Sequence, residues 1–323
     1  MILTLSLLIF FFTFILIKSA DHVVVALRHI AKLSHARLFV VSAILLALST
    51  SLPELFVSTT SALEGVSSLS LGVVVGSNIA NISLITGIAA LTAGRVLVHG
   101  EFLKRDVWIS LVAGVLPILL VFDKRLSRVD GLILLTVYAA YATSFFKIRF
   151  REIAEFHLSD VFFHRLFRKV THFKTTLRRE YGRLFVSVAV LLFSADLVVR
   201  LSKTLAEAIG IPLFLIGLIL LAVGTSLPEL VFSLRLLTDG EPTMFFGNLL
   251  GSTIANSTLI VGLAAVINPF AVAASDEYVI SAASFIVIYL TFWFFIRSKF
   301  RLERWEAGVL IILYFIFVAL EVV

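Results

Sequence analysis

The stretch Thr50-Ser51-Leu52-Pro53-Glu54-Leu55 returns unchanged as Thr225-Ser226-Leu227-Pro228-Glu229-Leu230, and each copy lies inside an apolar run. A carboxylate beside a proline in a membrane-spanning segment is costly in hydrocarbon, and it is normally kept where it faces a cavity or pathway. Its recurrence at matching places in two halves of one chain predicts an ion site at a repeat interface. The register is constant, with an offset of 175 residues: residues 36–90 align without a gap on 211–265, and about 25 of those 55 positions are identical. Ser19-Ala20-Asp21 matches Ser194-Ala195-Asp196 in the same register, so the unit reaches back almost to the start of each half. A solenoid or propeller would need three or more shorter units.

Of the 323 residues, 60% are hydrophobic and 15% charged, with a mean hydropathy of +1.07, where a soluble domain carries about 25% charged residues. Apolar runs of roughly 17–25 residues recur, each long enough to cross a hydrocarbon core of about 30 Å. The fold class is therefore an all-α polytopic membrane protein. Ten transmembrane helices are expected, at about 2–20, 37–63, 70–93, 105–122, 129–147, 183–203, 211–238, 244–268, 278–296 and 303–321. Five spans per unit is an odd number, so the two halves enter the membrane from opposite sides, as inverted-topology five-helix repeats. Residues 1–147 form the N-terminal half with the first repeat (about 36–90). Residues 148–182 form a basic loop, and 183–323 the C-terminal half with the second repeat (about 211–265). The stretch Ile2 to Ile17 has no basic n-region and no small-residue cleavage site, and reads as a retained first helix.

Basic residues gather in alternate connections. The first has Arg28, Lys32 and Arg37, the third Arg95, Lys104 and Arg105, and the ninth Arg297, Lys299, Arg301 and Arg304. The fifth, residues 147–183, holds ten Lys/Arg against four Asp/Glu. By the positive-inside rule these connections are cytoplasmic and both termini lie outside the cell membrane. The net charge of +6 thus reports topology and gives no argument for a nucleic-acid partner. The interleaved bases and phenylalanines of the fifth connection suit an amphipathic helix on an anionic leaflet. There are no cysteines, which excludes disulfides, thiolate metal sites and cysteine catalysis.

Two polar clusters stand in each unit. In the first, Thr50 to Glu54 and Thr225 to Glu229, a proline inside a helix would remove a backbone hydrogen bond and free carbonyl oxygens upstream. Ser58 and Ser233 follow the glutamates on the same helical face. The second cluster runs from Gly72 through Gly76-Ser77-Asn78 to Asn81, and from Gly247-Asn248 through Gly251-Ser252-Thr253 to Asn256. Its glycines four apart allow close helix approach, and Ser77 with Asn81, like Ser252 with Asn256, share a face. Converging, the clusters would make an all-oxygen site suited to a hard cation; calcium takes six to eight oxygens, and two carboxylates balance its charge.

The doubled T-S-L-P-E, with G-S-N-I-A-N and G-S-T-I-A-N downstream, resembles the α-repeats of the calcium:cation antiporter superfamily, in particular prokaryotic sodium/calcium exchanger-like proteins. The resemblance implies alternating access at one central site in a single chain, with Glu54 and Glu229 as principal cation ligands. Asn81 and Asn256 would complete the site, and Thr50, Ser51, Thr225, Ser226, Ser77 and Ser252 would support it. Three positions depart from the family pattern: Ser49 replaces a glycine kept as Gly224, Val73 replaces the asparagine kept as Asn248, and Asn256 stands where an aspartate is often found. The expected function is Ca2+/Na+ antiport. With two formal charges in the site, a Ca2+/H+ antiporter is the alternative, since neighbouring carboxyls in low dielectric take up protons as a coupled pair that calcium would displace.

Other classes fare worse. A cation channel usually shares its filter among subunits around an axis. No H-E-x-x-H, P-loop or G-x-S-x-G is present to suggest an enzyme or an ATP-driven pump, and no cofactor is implied beyond the transported ions. The remaining polar residues have plainer readings. Ser58, Ser233, Ser83 and Thr258 read as interhelical hydrogen bonds, Asp196 with Arg200 as an i,i+4 ion pair, Asp21 as interfacial, and the seven histidines as loop or span-end residues.

Overall fold

The computed structural model describes residues 2–33, 50–97, 101–155, 177–272 and 275–322. Almost all of them are helical, because in hydrocarbon a helix satisfies every backbone N–H and C=O within its own segment. In chain order the helices are α1 (Ile2–Leu33), α2 (Leu52–Leu63), α3 (Ser67–Ala93), α4 (Glu101–Leu120), α5 (Arg128–Glu155), α6 (Leu177–Ile209), α7 (Leu213–Thr238), α8 (Pro242–Ile267), α9 (Ser275–Lys299) and α10 (Arg304–Val322). Among the described residues, eight helices are long and apolar enough to cross a membrane. Of the ten expected spans, 37–63 is described only from Thr50 onward, and 129–147 lies within α5, which is helical but not among those eight.

Several helices outrun the expected spans. Helix α1 continues to Leu33, carrying Arg28 and Lys32 on its last turns, and α5 reaches Glu155 while α6 begins at Leu177. The basic loop expected over 148–182 is therefore helical at both ends. Charged residues end the hydrophobic stretch without breaking the helix, since Lys, Arg and Glu are good helix formers. Arg37 and the centre of that loop, 156–176, lie outside the described residues.

Two short antiparallel ribbons tie the halves together. β1 (Val96–Leu97) pairs with β4 (Arg301–Leu302), Val96 opposite Leu302; β2 (Arg125–Leu126) pairs with β3 (Phe270–Ala271), Arg125 opposite Ala271. Each ribbon thus joins a connection of one half to a connection of the other, and the first ribbon joins two of the basic connections. Matching elements also keep the sequence offset: α2 and the segment Leu227–Thr238 are both 12-residue helices that begin one residue after a serine.

Glycines set the closest helix contact. A Cβ on Gly72 would run into the carbonyl oxygen of Phe214, and one on Gly76 into that of Leu218. From the other side, a Cβ on Gly217 would lie 2.6 Å from the Leu69 carbonyl oxygen. The first part of α7 therefore lies backbone to backbone on α3, as the small-residue spacing predicts, but the same expectation fails for Gly247 and Gly251 on α8, where a Cβ would meet nothing within 4 Å. Helices α1 and α6 pack along each other, and their buried contact with the rest of the bundle is apolar: Ile9, Leu16, Val198 and Val199 share one cluster with Val57, Leu69, Ile216 and Leu221. Their outer faces expose Phe11 and Phe14 on α1 and Phe185 and Phe193 on α6, large apolar side chains suited to lipid.

Candidate cation site

The prolines stand just inside the start of a helix: on α7 the helical run ends at Thr225, turns at Ser226 and resumes at Leu227, while the residues that precede Thr50 lie outside those described. Ser51 (φ −90°, ψ 7°) and Ser226 (φ −84°, ψ 1°) sit at the N-caps of α2 and of Leu227–Thr238. Pro53 and Pro228 are second in those helices, within the first turn where a missing N–H is tolerated. Glu54 and Glu229 follow at the third position, at the positive end of the new helix dipole. Pro228 offers no donor to Gly224, and the Gly224 carbonyl is instead taken by a backbone N–H at the turn around Ser226.

The second cluster is bent by a different device. Helix α3 widens to a π-helix over Asn81–Ile85, and α8 over Ala255–Ile260. Such segments are uncommon and concentrate at functional sites. Here they begin at, or one residue before, the two asparagines of interest. The Thr86 hydroxyl donates to the Asn81 carbonyl at 2.7 Å, taking up a backbone oxygen at the end of the widened turn.

All ten predicted site residues are buried, and seven of them, Glu54, Glu229, Thr50, Thr225, Ser226, Ser77 and Ser252, lie beside one another. Glu54, Asn81, Asn256, Ser77 and Thr225 are completely buried, and Glu229, Ser51, Ser226, Ser252 and Thr50 are at most 5% exposed. The arrangement is crosswise. Glu54, from the first unit, has the hydroxyls of Thr225 and Ser226 from the second unit beside it, with Ser77 of its own. Glu229, from the second unit, has Thr50 of the first beside it and lies close enough to Glu54 to feel its charge. Thr50 in turn reaches the Ser252 hydroxyl at 3.3 Å and Asn248 Oδ1 at 3.5 Å.

These neighbours do not satisfy the glutamates. Both carboxylate oxygens of Glu54 and Glu229 lack a hydrogen bond of acceptable geometry, as do the hydroxyls of Ser51, Ser77 and Ser226, the whole Asn81 amide and Asn256 Oδ1. Buried polar atoms without partners are costly, and here they are almost all oxygens, gathered from both units. Among the described residues no three His, Cys, Asp or Glu side chains cluster, so a cation would rest on two carboxylates and neutral oxygens. That donor set fits a hard ion such as calcium or sodium and does not fit a soft one.

Residues read as peripheral divide. Ser83 and Thr258 donate to carbonyls of their own helices, Ile79 and Ile254, and do not bridge helices as expected. Ser58 is buried with its hydroxyl unpartnered, four residues after Glu54. Arg200 makes the expected pair with Asp196 at 3.0 Å and a second, unexpected one with Glu64 at 3.0 Å, tying α6 to the end of α2. Asp21 faces Lys18 at 3.7 Å, both half exposed.

Two features escaped the sequence reading. Asn78 and Ser257 join the site through Asn256, although Asn78 stands inside the quoted motif and its position there was the available signal. Glu180, one of the four acids counted in residues 147–183, is fully buried between His29 at 3.2 Å and Arg183 at 3.4 Å, at the meeting of α1 and α6. Its pairing with His29 spans 151 positions of chain and has no local signature.

Membrane-length helices and two glutamates buried together from two related segments are features of an ion pathway. The chain belongs to the sodium/calcium exchanger family: that family's model, described as "Sodium/calcium exchanger protein", matches residues 4–147 and again residues 180–323. The sodium/calcium exchanger MaX1 of Methanosarcina acetivorans is 30% identical over 330 residues, covering 94% of each chain. The inner membrane protein YrbG of Escherichia coli is 29% identical over 282 residues, 86% of each. In fold, the chain matches the sodium-calcium exchanger NCX_Mj with a TM-score of 0.60 over 99% of each chain, at 24% identity.

Proposed function

We propose that this protein is a secondary antiporter that exchanges Ca2+ for Na+ by alternating access, with the cation held between Glu54 and Glu229. The observation that carries this reading is the pair of buried carboxylates, each without a hydrogen-bond partner and each facing hydroxyls of the opposite unit. Asn81, Asn256, Ser51, Ser77 and Ser226 supply neutral oxygens around them, and Thr50, Thr225 and Ser252 support the shell. The full architecture is ten spans in two inverted five-helix halves, 1–147 and 183–323, joined by the basic segment 148–182 on the cytoplasmic side with both termini outside. One chain holds a complete site.

The moving parts are α1 and α6. They pack on each other and meet the site bundle through buried apolar side chains, a surface suited to sliding, and the ion pair between α6 and α2, Arg200 with Glu64, lies at its exposed edge. As they shift together, one approach to the glutamates would open while the other closes. Thr13 of α1 already lies over Gly224, with its Cγ2 3.1 Å from where a Cβ would be, next to Thr225.

One observation favours a second counter-ion. Asn256 leaves the site with two carboxylates, a charge that one calcium or two protons can balance equally well. Proteoliposomes loaded with sodium at equal pH, or with an outward proton gradient in sodium-free buffer, separate the two. Sodium-driven Ca2+ uptake supports the proposal, and uptake driven only by protons replaces it with Ca2+/H+ exchange. Uptake under neither gradient refutes both.

A further inference from the structure

Of the two asparagines in the site, only one is held by its surroundings. Asn256 donates from Nδ2 to Asn78 Oδ1 at 3.2 Å, and Asn78 donates from its own Nδ2 to the Ser257 hydroxyl at 2.7 Å. All three side chains are buried, Asn78 by 97% and Asn256 completely. The chain of bonds uses both ends of the Asn78 amide and leaves Asn256 Oδ1 as the unpartnered atom of its carboxamide. Asn81 has no such anchor: neither its oxygen nor its nitrogen has a partner.

The asymmetry is written in the repeat. The position equivalent to Asn78 is Thr253, whose hydroxyl bonds back to its own helix at Leu249 O, 3.0 Å away. The position equivalent to Ser257 is Ile82. Asn78 and Ser257 line a cavity of about 10 Å3 whose other lining side chains are apolar, among them Val74, Val75, Val261 and Phe285.

We infer that Asn78 is a positioning residue for the cation site, holding the Asn256 carboxamide so that its oxygen, and not its NH2 group, meets the ion. The inference rests on the exchanger reading above. A carboxamide turned by half a revolution would present two donors and no lone pair to a cation. An aspartate has two equivalent oxygens and needs no such orientation. The Asn78–Ser257 pair is therefore required because residue 256 is an asparagine.

Calorimetric titration of Ca2+ into the purified full-length protein tests this, with Asn78→Leu made alone and together with Asn256→Asp. Losing one orienting hydrogen bond should raise the Ca2+ Kd of the single variant on the order of tenfold. In the Asn256→Asp background the same change should cost less than about twofold, because the aspartate has no wrong end. Ser257→Ala, a gentler change, should weaken binding about threefold in the native background and not at all beside Asp at 256. It decides the matter if Asn78→Leu does not fold. Equal losses in both backgrounds would make Asn78 a packing residue and overturn the inference while leaving the exchanger reading intact. An unchanged Kd for Asn78→Leu or Ser257→Ala in the native background would do the same. Absence of Ca2+ binding to the unmodified protein would instead strike at the exchanger reading itself.

Discussion

Gly76→Ala should uncouple the site without touching any of its ligands. A Cβ at Gly76 would collide with the carbonyl oxygen of Leu218 and would lie 2.6 Å from Ala222 Cβ and 2.7 Å from the Leu218 carbonyl carbon. Ordinary carbon–carbon contact is about 3.5–4.0 Å, so α3 and α7 must part locally by about 1 Å. None of the three atoms is the end of a flexible side chain, so the strain has no easy outlet. Ser77 is the next residue on α3 and Thr225 lies three residues beyond Ala222, both beside Glu54. Calcium accepts oxygens at about 2.3–2.6 Å, and a 1 Å parting exceeds that window. The loss of one or two ligands should weaken Ca2+ binding by about tenfold to a hundredfold. Titration calorimetry on the purified variant reads this directly. Gly114→Ala is the control: there a Cβ would run into the Phe285 ring, and neither α4 nor α9 carries any of the ten site residues. It should lower thermal stability, by about 1–3 kcal/mol for an overpacked contact, with Ca2+ affinity nearly unchanged. A folded Gly76→Ala protein that binds Ca2+ as tightly as the parent would refute the claim that this glycine contact sets the site's geometry.

Glu54→Gln and Glu229→Gln should each reduce Ca2+ flux in proteoliposomes by at least about a hundredfold, since truncating a buried charge ligand typically costs several kcal/mol; near-normal flux in either would remove that glutamate from the site. Asn256→Asp adds a third carboxylate and should raise the sodium-driven share of Ca2+ uptake at the expense of any proton-driven share; no shift in that ratio would show that residue 256 does not choose the counter-ion. Because the chain has no cysteine, Arg200→Cys with Glu64→Cys can be joined by a short bifunctional thiol reagent, fixing α6 to the end of α2 where the ion pair now lies. Transport should stop while Ca2+ binding persists, and continued flux in the joined protein would rule out movement of α6 against α2. Removing the Glu64 pair alone, by Glu64→Gln, should change stability by less than about 1 kcal/mol, as exposed pairs do, which thermal unfolding would check.

The membrane class, the paired motifs and their two glutamates were legible in the chain because hydrocarbon allows few solutions, whereas the other eight candidate ligands came from resemblance to the exchanger family. Apolar length marks a helix, and an ionisable group kept twice in register inside one marks a pathway. Gly72 and Gly76 were legible for the same kind of reason, as spacing on one helix face. What the chain could not disclose depended on distance through space. Pro53 and Pro228 look the same in sequence whether they kink a helix or restart one, and the backbone turn at Ser51 and Ser226 decided it. That Glu54 sits among the second unit's hydroxyls follows from how α2, α3 and α7 cross, and the ribbons joining β1 to β4 and β2 to β3 are likewise pairings between halves. Glu180 meeting His29, and Asn78 holding Asn256, join residues 151 and 178 positions apart. Local pattern specifies the helices and what they carry, because helix hydrogen bonds and apolar faces are local. Which oxygens share a site is settled only when packed helices bring them within reach.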